Sequence, residues 1–239
     1  MSPPVNEPGS LTADQVAGSR TALIDRAVLA RALPFALFML VLAIRSKLPQ
    51  PLSLWLYPVQ AGLAALAMAY FWRDYGELRI TRSPWHPRAG VAGLLLGILV
   101  FMLWIHLDFA PLNLGASVAV APPMSDGVPD WRWIVLRLAG AALVVPVMEE
   151  LFWRSFVMRW LESRHFLQVQ PLAVSLRSLL VAALVFGLEH HLWFAGLLAG
   201  LAYAWLYRRF GLWTAIFSHA ITNLSLGLWV LHSGQWQFW

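Results

Sequence analysis

Apolar residues run through this chain in seven long stretches, roughly 27–44, 52–72, 90–107, 133–160, 172–190, 194–207 and 212–231. A membrane-crossing helix needs about 20 predominantly apolar residues. The pattern therefore predicts an all-α, polytopic helical bundle of about seven transmembrane helices, within a range of six to eight. Between the stretches lie helix breakers: Pro49 and Pro51, then Pro84 and Pro87, then Pro111, Pro122, Pro123, Gly127 and Pro129. Residues 1–20 are polar, with no cleavable signal pattern, and read as a disordered tail; residues 21–239 read as a single transmembrane domain. No internal repeat or soluble domain stands out.

Composition sharpens this picture. The chain is 59% hydrophobic and 12% charged, whereas a soluble domain is closer to half apolar and a quarter charged. With no cysteine there is no disulfide framework, thiolate nucleophile or cysteine metal site. The +5 net charge does not indicate nucleic acid, because the arginines gather at the ends of apolar runs. Arg73, Arg79, Arg82 and Arg88 crowd one connection, Arg154, Arg159, Arg164 and Arg177 a second, and Arg208 and Arg209 a third. The connection from Phe109 to Asp130 has no Lys or Arg. This alternation predicts a multi-pass protein with a cytoplasmic N-terminus and a non-cytoplasmic C-terminus, although Arg45 and Lys47 run against it. Many of the fourteen tryptophans sit near segment ends, as interfacial anchors do.

Candidate chemistry lies in the polar residues left inside the spans. In Val145-Pro146-Val147-Met148-Glu149-Glu150-Leu151-Phe152-Trp153-Arg154, two carboxylates and a guanidinium share an apolar setting. An ionised group at mid-membrane costs at least about 2.5–3.5 kcal/mol on insertion scales, so such groups are rarely kept without a use. Helical spacing puts Glu150 and Arg154 on one face as an ion pair and turns Glu149 about 100° away, without a partner in its own helix. Phe186 and His190 are also four apart, as are His219 and Asn223. Each group has a plainer reading: a structural ion pair, a packed histidine, an interhelical asparagine, and for Glu189 and His191 an interfacial position. Trp153 and Trp193 read as packing or interface residues. An unpaired glutamate, two histidines and an asparagine on separate apolar helices are nonetheless the parts of a hydrolytic site.

These residues resemble a known family, the type II CAAX prenyl endopeptidase and bacteriocin-processing membrane proteins. Its three motifs stand here in order as Glu149-Glu150-x-x-x-Arg154, Phe186-x-x-x-His190 and His219-x-x-x-Asn223, within about residues 131–226. The wording around them is also similar to that of a bacterial exosortase-system-associated subgroup. The resemblance implies a metal-independent, glutamate-type intramembrane endopeptidase acting near the C-terminus of a membrane-anchored protein or peptide. Under it, Glu149 is the base for a water that His190 also holds, His219 and Asn223 stabilise the oxyanion, and Glu150 with Arg154 locks the helix. Phe186 supports the site. The bilayer and exosortase-system proteins are the implied partners, with no nucleic acid and no cofactor.

Two alternatives stay open. One is a zinc protease using Glu149, His190 and His219 as ligands, although the chain has no His-Glu-x-x-His pair. The other is a non-catalytic scaffold or immunity-type protein that keeps the constellation as a folding core. A serine protease would need a reactive serine, and Gly115-Ala116-Ser117 is a poor match. A difficulty of depth also arises: a straight fourth helix carries Glu149 almost 30 Å from its start, while a full fifth span returns His190 to that starting face. The fourth helix is therefore expected to break or bend near Pro146.

Overall fold

The computed structural model describes residues 25–49, 52–79, 87–115 and 119–239. The tail expected over residues 1–20 and Ser117 lie outside the described residues. Seven helical stretches follow the predicted apolar runs: α1 (Arg26–Arg45), α2 (Leu52–Tyr70), α3 (Pro87–His106), α4 (131–160), α5 (Leu176–Leu188), α6 (Trp193–Phe210) and α7 (Leu212–Ser233). A two-stranded antiparallel ribbon, β1 (Met124–Ser125) with β2 (Val128–Pro129), lies in the connection before α4. The exposed side chains are those of a protein in lipid: Leu66 is 70% and Leu143 67% exposed, while Glu150 and Ser155 are fully buried. Four helices among the described residues are long and apolar enough by themselves to cross a membrane. The protein is an all-α helical membrane bundle.

Helix α4 does not break at Pro146. Residues 131–160 are helical throughout, but the register widens to π over Gly140–Val144 and again over Leu151–Val157. Proline explains the first widening. The Val145 N–H reaches back five residues to the Gly140 carbonyl; the next such bond, to Ala141, would need an N–H on Pro146, which has none. The Ala141 carbonyl is taken up by a side chain from another helix, as Asn223 Nδ2 donates to it at 2.8 Å. Where the sequence predicts a break or bend, the helix carries a register change and an outside donor.

The depth difficulty is resolved by α5. Residues 172–190 read as a full span, yet Pro171–Ala173 form a 3₁₀ turn and the helix begins only after Ser175, whose hydroxyl accepts from the Ser178 N–H. The 13 residues that remain cover about 20 Å, well short of an apolar core of about 30 Å. The chain therefore turns at residues 189–192 at the level of Glu149, and α6 runs back antiparallel to α5. Glycines make that return possible: a Cβ on Gly187 would lie 2.7 Å from both the Trp193 carbonyl oxygen and the Leu197 nitrogen, and one on Gly200 3.0 Å from the Ala183 Cα. Both obstacles at Gly187 are backbone, so Gly187→Val is expected to pry the hairpin open. Loss of at least about 2 kcal/mol, the scale of an overpacked core, should appear as a lower melting temperature in detergent.

The tip of the hairpin is capped by the connection after α3. The Leu114 N–H donates to the His191 carbonyl (2.8 Å), His191 Nδ1 bonds the Leu114 carbonyl (2.8 Å), and Trp193 Nε1 donates to the Pro111 carbonyl (3.2 Å). These bonds satisfy a non-helical turn that lipid could not. At the opposite end, Arg31 of α1 grips Glu77 with a two-pronged fork (2.9 and 2.6 Å), and the Ser155 hydroxyl of α4 donates to the same carboxylate. Burial alone would lift the Glu77 carboxyl, but the Arg31 fork outweighs it and holds the group below its ordinary value.

Candidate active site

Glu150 lies at the centre of the buried polar groups. Arg154 Nε stands 3.1 Å from its Oε2, and His219 Nδ1 lies 3.0 Å from its Oε1. One carboxylate thus faces a cation on its own helix and an imidazole on α7. Helical spacing alone pairs it only with Arg154. The Arg154 guanidinium lies over the Phe186 ring at 4.4 Å and donates through Nη2 to the Gly200 carbonyl at 3.3 Å. It thereby ties α4 to both arms of the hairpin. Phe186 also meets His219 and Trp153 edge-on.

Glu149 is 7% exposed, and its Oε2 has no hydrogen-bond partner. Its closest imidazole is that of His219, with Nε2 3.9 Å from Oε2. His190 follows the end of α5, and its Nδ1 lies 2.7 Å from the Phe186 carbonyl. A carbonyl can only accept, so Nδ1 carries the hydrogen and Nε2 keeps a lone pair. The same reasoning at Glu150 puts a hydrogen on His219 Nδ1. Glu149, His190, His219, Asn223 and Phe186 all line one cavity of about 220 Å³. Its other walls are mainly apolar, and the Tyr203 ring stacks on His219 at 4.8 Å.

The structure brings the seven sequence-selected residues into one region, with their partners differently arranged than the motif resemblance implied. Asn223 already spends one amide hydrogen on Ala141, leaving one for a ligand. His219 has its Nδ1 hydrogen on Glu150, so its Nε2 becomes a donor only in the doubly protonated ring, for which Glu150 is the counter-charge. His190, not His191, faces Glu149, since His191 is held by the Leu114 loop.

Three residues escaped the sequence reading. Glu189, read as interfacial, belongs to the turn at the depth of the site; it accepts from Trp153 Nε1 at 3.1 Å. One ligand atom each from Glu149, Glu189 and His190 lie within 4.8 Å of one another. Tyr203 donates to Thr222 Oγ1 (2.8 Å), which donates to the Gly97 carbonyl of α3 (2.9 Å), so α6, α7 and α3 meet beside His219. Arg137 stands in the wall of the same cavity. An arginine only four positions past the start of a predicted span was the available signal.

A comparison with protein families matches the model described as "Type II CAAX prenyl endopeptidase Rce1-like" over residues 131–225. The matched stretch is similar to an Rce1-like domain. It comprises α4 to α6 and α7 as far as Ser225, and contains all three motifs; α1 to α3 lie outside it. No curated protein and no solved structure matches the chain. The Rce1-like domain points to a CAAX-type intramembrane protease, and the apolar helices agree with a membrane location.

Proposed function

We propose that the protein is a glutamate-type intramembrane endopeptidase that hydrolyses a peptide bond near the C-terminus of a membrane-anchored protein or peptide. The observation that carries this reading is the unpartnered, buried Glu149 carboxylate oxygen on a cavity it shares with two imidazoles. A water there donates one hydrogen to Glu149 and the other toward His190 Nε2, leaving an oxygen lone pair free to attack a carbonyl. Glu149 accepts the water's proton as the C–O bond forms, and later delivers it to the leaving amine as the C–N bond breaks. The developing oxyanion is met by the remaining Asn223 amide hydrogen and by protonated His219, with Glu150 behind the ring. Dry apolar walls strengthen each of these interactions.

The substrate is expected to enter from the bilayer, and the subgroup likeness suggests a protein of the exosortase sorting system as partner. The proposed localisation is a bacterial inner membrane with the N-terminus cytoplasmic. The decisive experiment incubates the purified protein with membrane-anchored candidate peptides and maps the new termini by mass spectrometry. A defined cut near the C-terminus supports the reading; a folded protein that cuts none while stably retaining them supports a scaffold role.

A second reading rests on the convergence of Glu149, Glu189 and His190. Two carboxylates and an imidazole suit a divalent cation such as zinc, and the ring's Nδ1–H on a carbonyl is the usual arrangement behind a metal ligand. This donor set differs from the Glu149, His190 and His219 set, because His219 is turned to Glu150. The metal-independent reading predicts unchanged cleavage after chelation and dialysis. Loss of activity restored by added zinc would establish the second.

A further inference from the structure

We infer that Arg137 is the seat for the substrate's free C-terminal carboxylate, making it a specificity-determining residue of the proposed reaction. This rests on the peptidase reading and adds to it the group that positions the peptide. Arg137 of α4 is 8% exposed and lines the cavity that holds Glu149, His190, His219 and Asn223. Among the described residues no carboxylate pairs with it, and its Nη1 is buried without a hydrogen-bond partner. Instead it is boxed by aromatic rings: Tyr57 at 4.5 Å, Trp133 at 5.5 Å and Trp239 at 5.6 Å from the guanidinium carbon.

Rings can hold a guanidinium in place, but they do not accept its N–H groups along well-directed lone pairs. A desolvated cation with an unspent donor, facing a cavity, calls for an anion with coplanar acceptors. A carboxylate supplies two and can bind bidentately. Every unblocked peptide brings one such group at its C-terminus. Leaving the cation without it is unfavourable in an apolar setting, so occupancy of the seat favours the correctly threaded substrate.

Spacing makes the assignment quantitative. Arg137 and Glu149 are twelve positions apart in one helix, about 18 Å along its axis. An extended residue covers about 3.3–3.6 Å. At most about five extended residues therefore fit between the attacked carbonyl and the carboxylate. On the far side of Arg137 lies a second cavity of about 310 Å³, also walled by Arg45, Ser46 and Ser53. An anionic lipid headgroup could reach the guanidinium from there, which gives the test its competing arm.

The test uses N-lauroyl peptides of identical apolar sequence, made as free acid and as carboxamide. Binding is measured by calorimetry on the Glu149→Gln protein and cleavage on the otherwise unaltered protein. The expected preference for acid over amide is about 10- to 100-fold, the scale of charge-assisted hydrogen bonding. It should vanish in Arg137→Gln and survive in part in Arg137→Lys. Equal handling of acid and amide without any Arg137 substitution overturns the inference, whether or not Arg137→Gln folds. Cleavage without an acid preference leaves the peptidase reading standing and removes this one; Arg137-dependent acid binding without cleavage does the reverse. Dilauroyl phosphatidate binding that depends on Arg137, together with no peptide-acid preference, would assign the seat to lipid and overturn the proposal.

Discussion

Glu149→Gln is expected to lower kcat/KM by about 10²- to 10⁴-fold, the usual contribution of a positioned general base, while leaving the protein inserted and folded. The amide has nearly the same shape as the carboxylate but cannot accept a proton from water at useful rates. Little of the fold depends on the lost charge, because Oε2 has no hydrogen-bond partner, no arginine or lysine pairs with this carboxylate among the described residues, and His219 Nε2 comes only to 3.9 Å. Melting in detergent should therefore match the parent protein or rise slightly, and peptide binding should persist. Cleavage by a well-folded Glu149→Gln protein at the parent rate would remove Glu149 from the chemistry.

Its neighbour should behave in the opposite way. Glu150→Gln leaves Arg154 buried opposite an amide and strips His219 of its counter-charge. Removing one member of a buried pair typically costs about 3–5 kcal/mol, because the other charge remains without compensation. The expected outcome is a large drop in melting temperature or poor recovery from the membrane, with activity falling as a consequence. Replacing both members, as Glu150→Gln with Arg154→Met, should recover part of the stability without restoring activity. Wild-type melting of Glu150→Gln would show that the bridge from Arg154 through Glu150 to His219 does not hold the helices together.

The two substitutions differ by one position, and the sequence already separated them: helical spacing pairs Glu150 with Arg154 and leaves Glu149 alone. The helical frame was legible for a similar reason, since mean hydropathy and helix breakers suffice to place long apolar helices. Legibility ended where tertiary pairing decides. The π segments of α4 depend on which carbonyl finds a donor, and the donor for Ala141 comes from Asn223, 82 positions away. The start of α5 was placed too early because Leu172 and Ala173 are apolar whether they lie in a helix or a 3₁₀ turn. That error in length became an error in depth, and it made Glu189 look like a surface residue rather than a neighbour of Glu149. The Glu150–His219 bond was hidden because no spacing rule links residues on two helices.

The short hairpin of α5 and α6 carries an implication for biogenesis. Its arms begin and finish on the same face, where Arg208 Nη2 donates to the Leu172 carbonyl. The polar tip must be pushed part-way into the oily layer and cannot rest there alone. The hydrogen-bonding groups that cap and anchor its tip are translated earlier: Pro111 and Leu114 to cap the turn, Trp153 to hold Glu189, and Arg154 to meet Gly200. Synthesis in this order lets the nascent chain build the socket before the plug, leaving only the final helix to close around them.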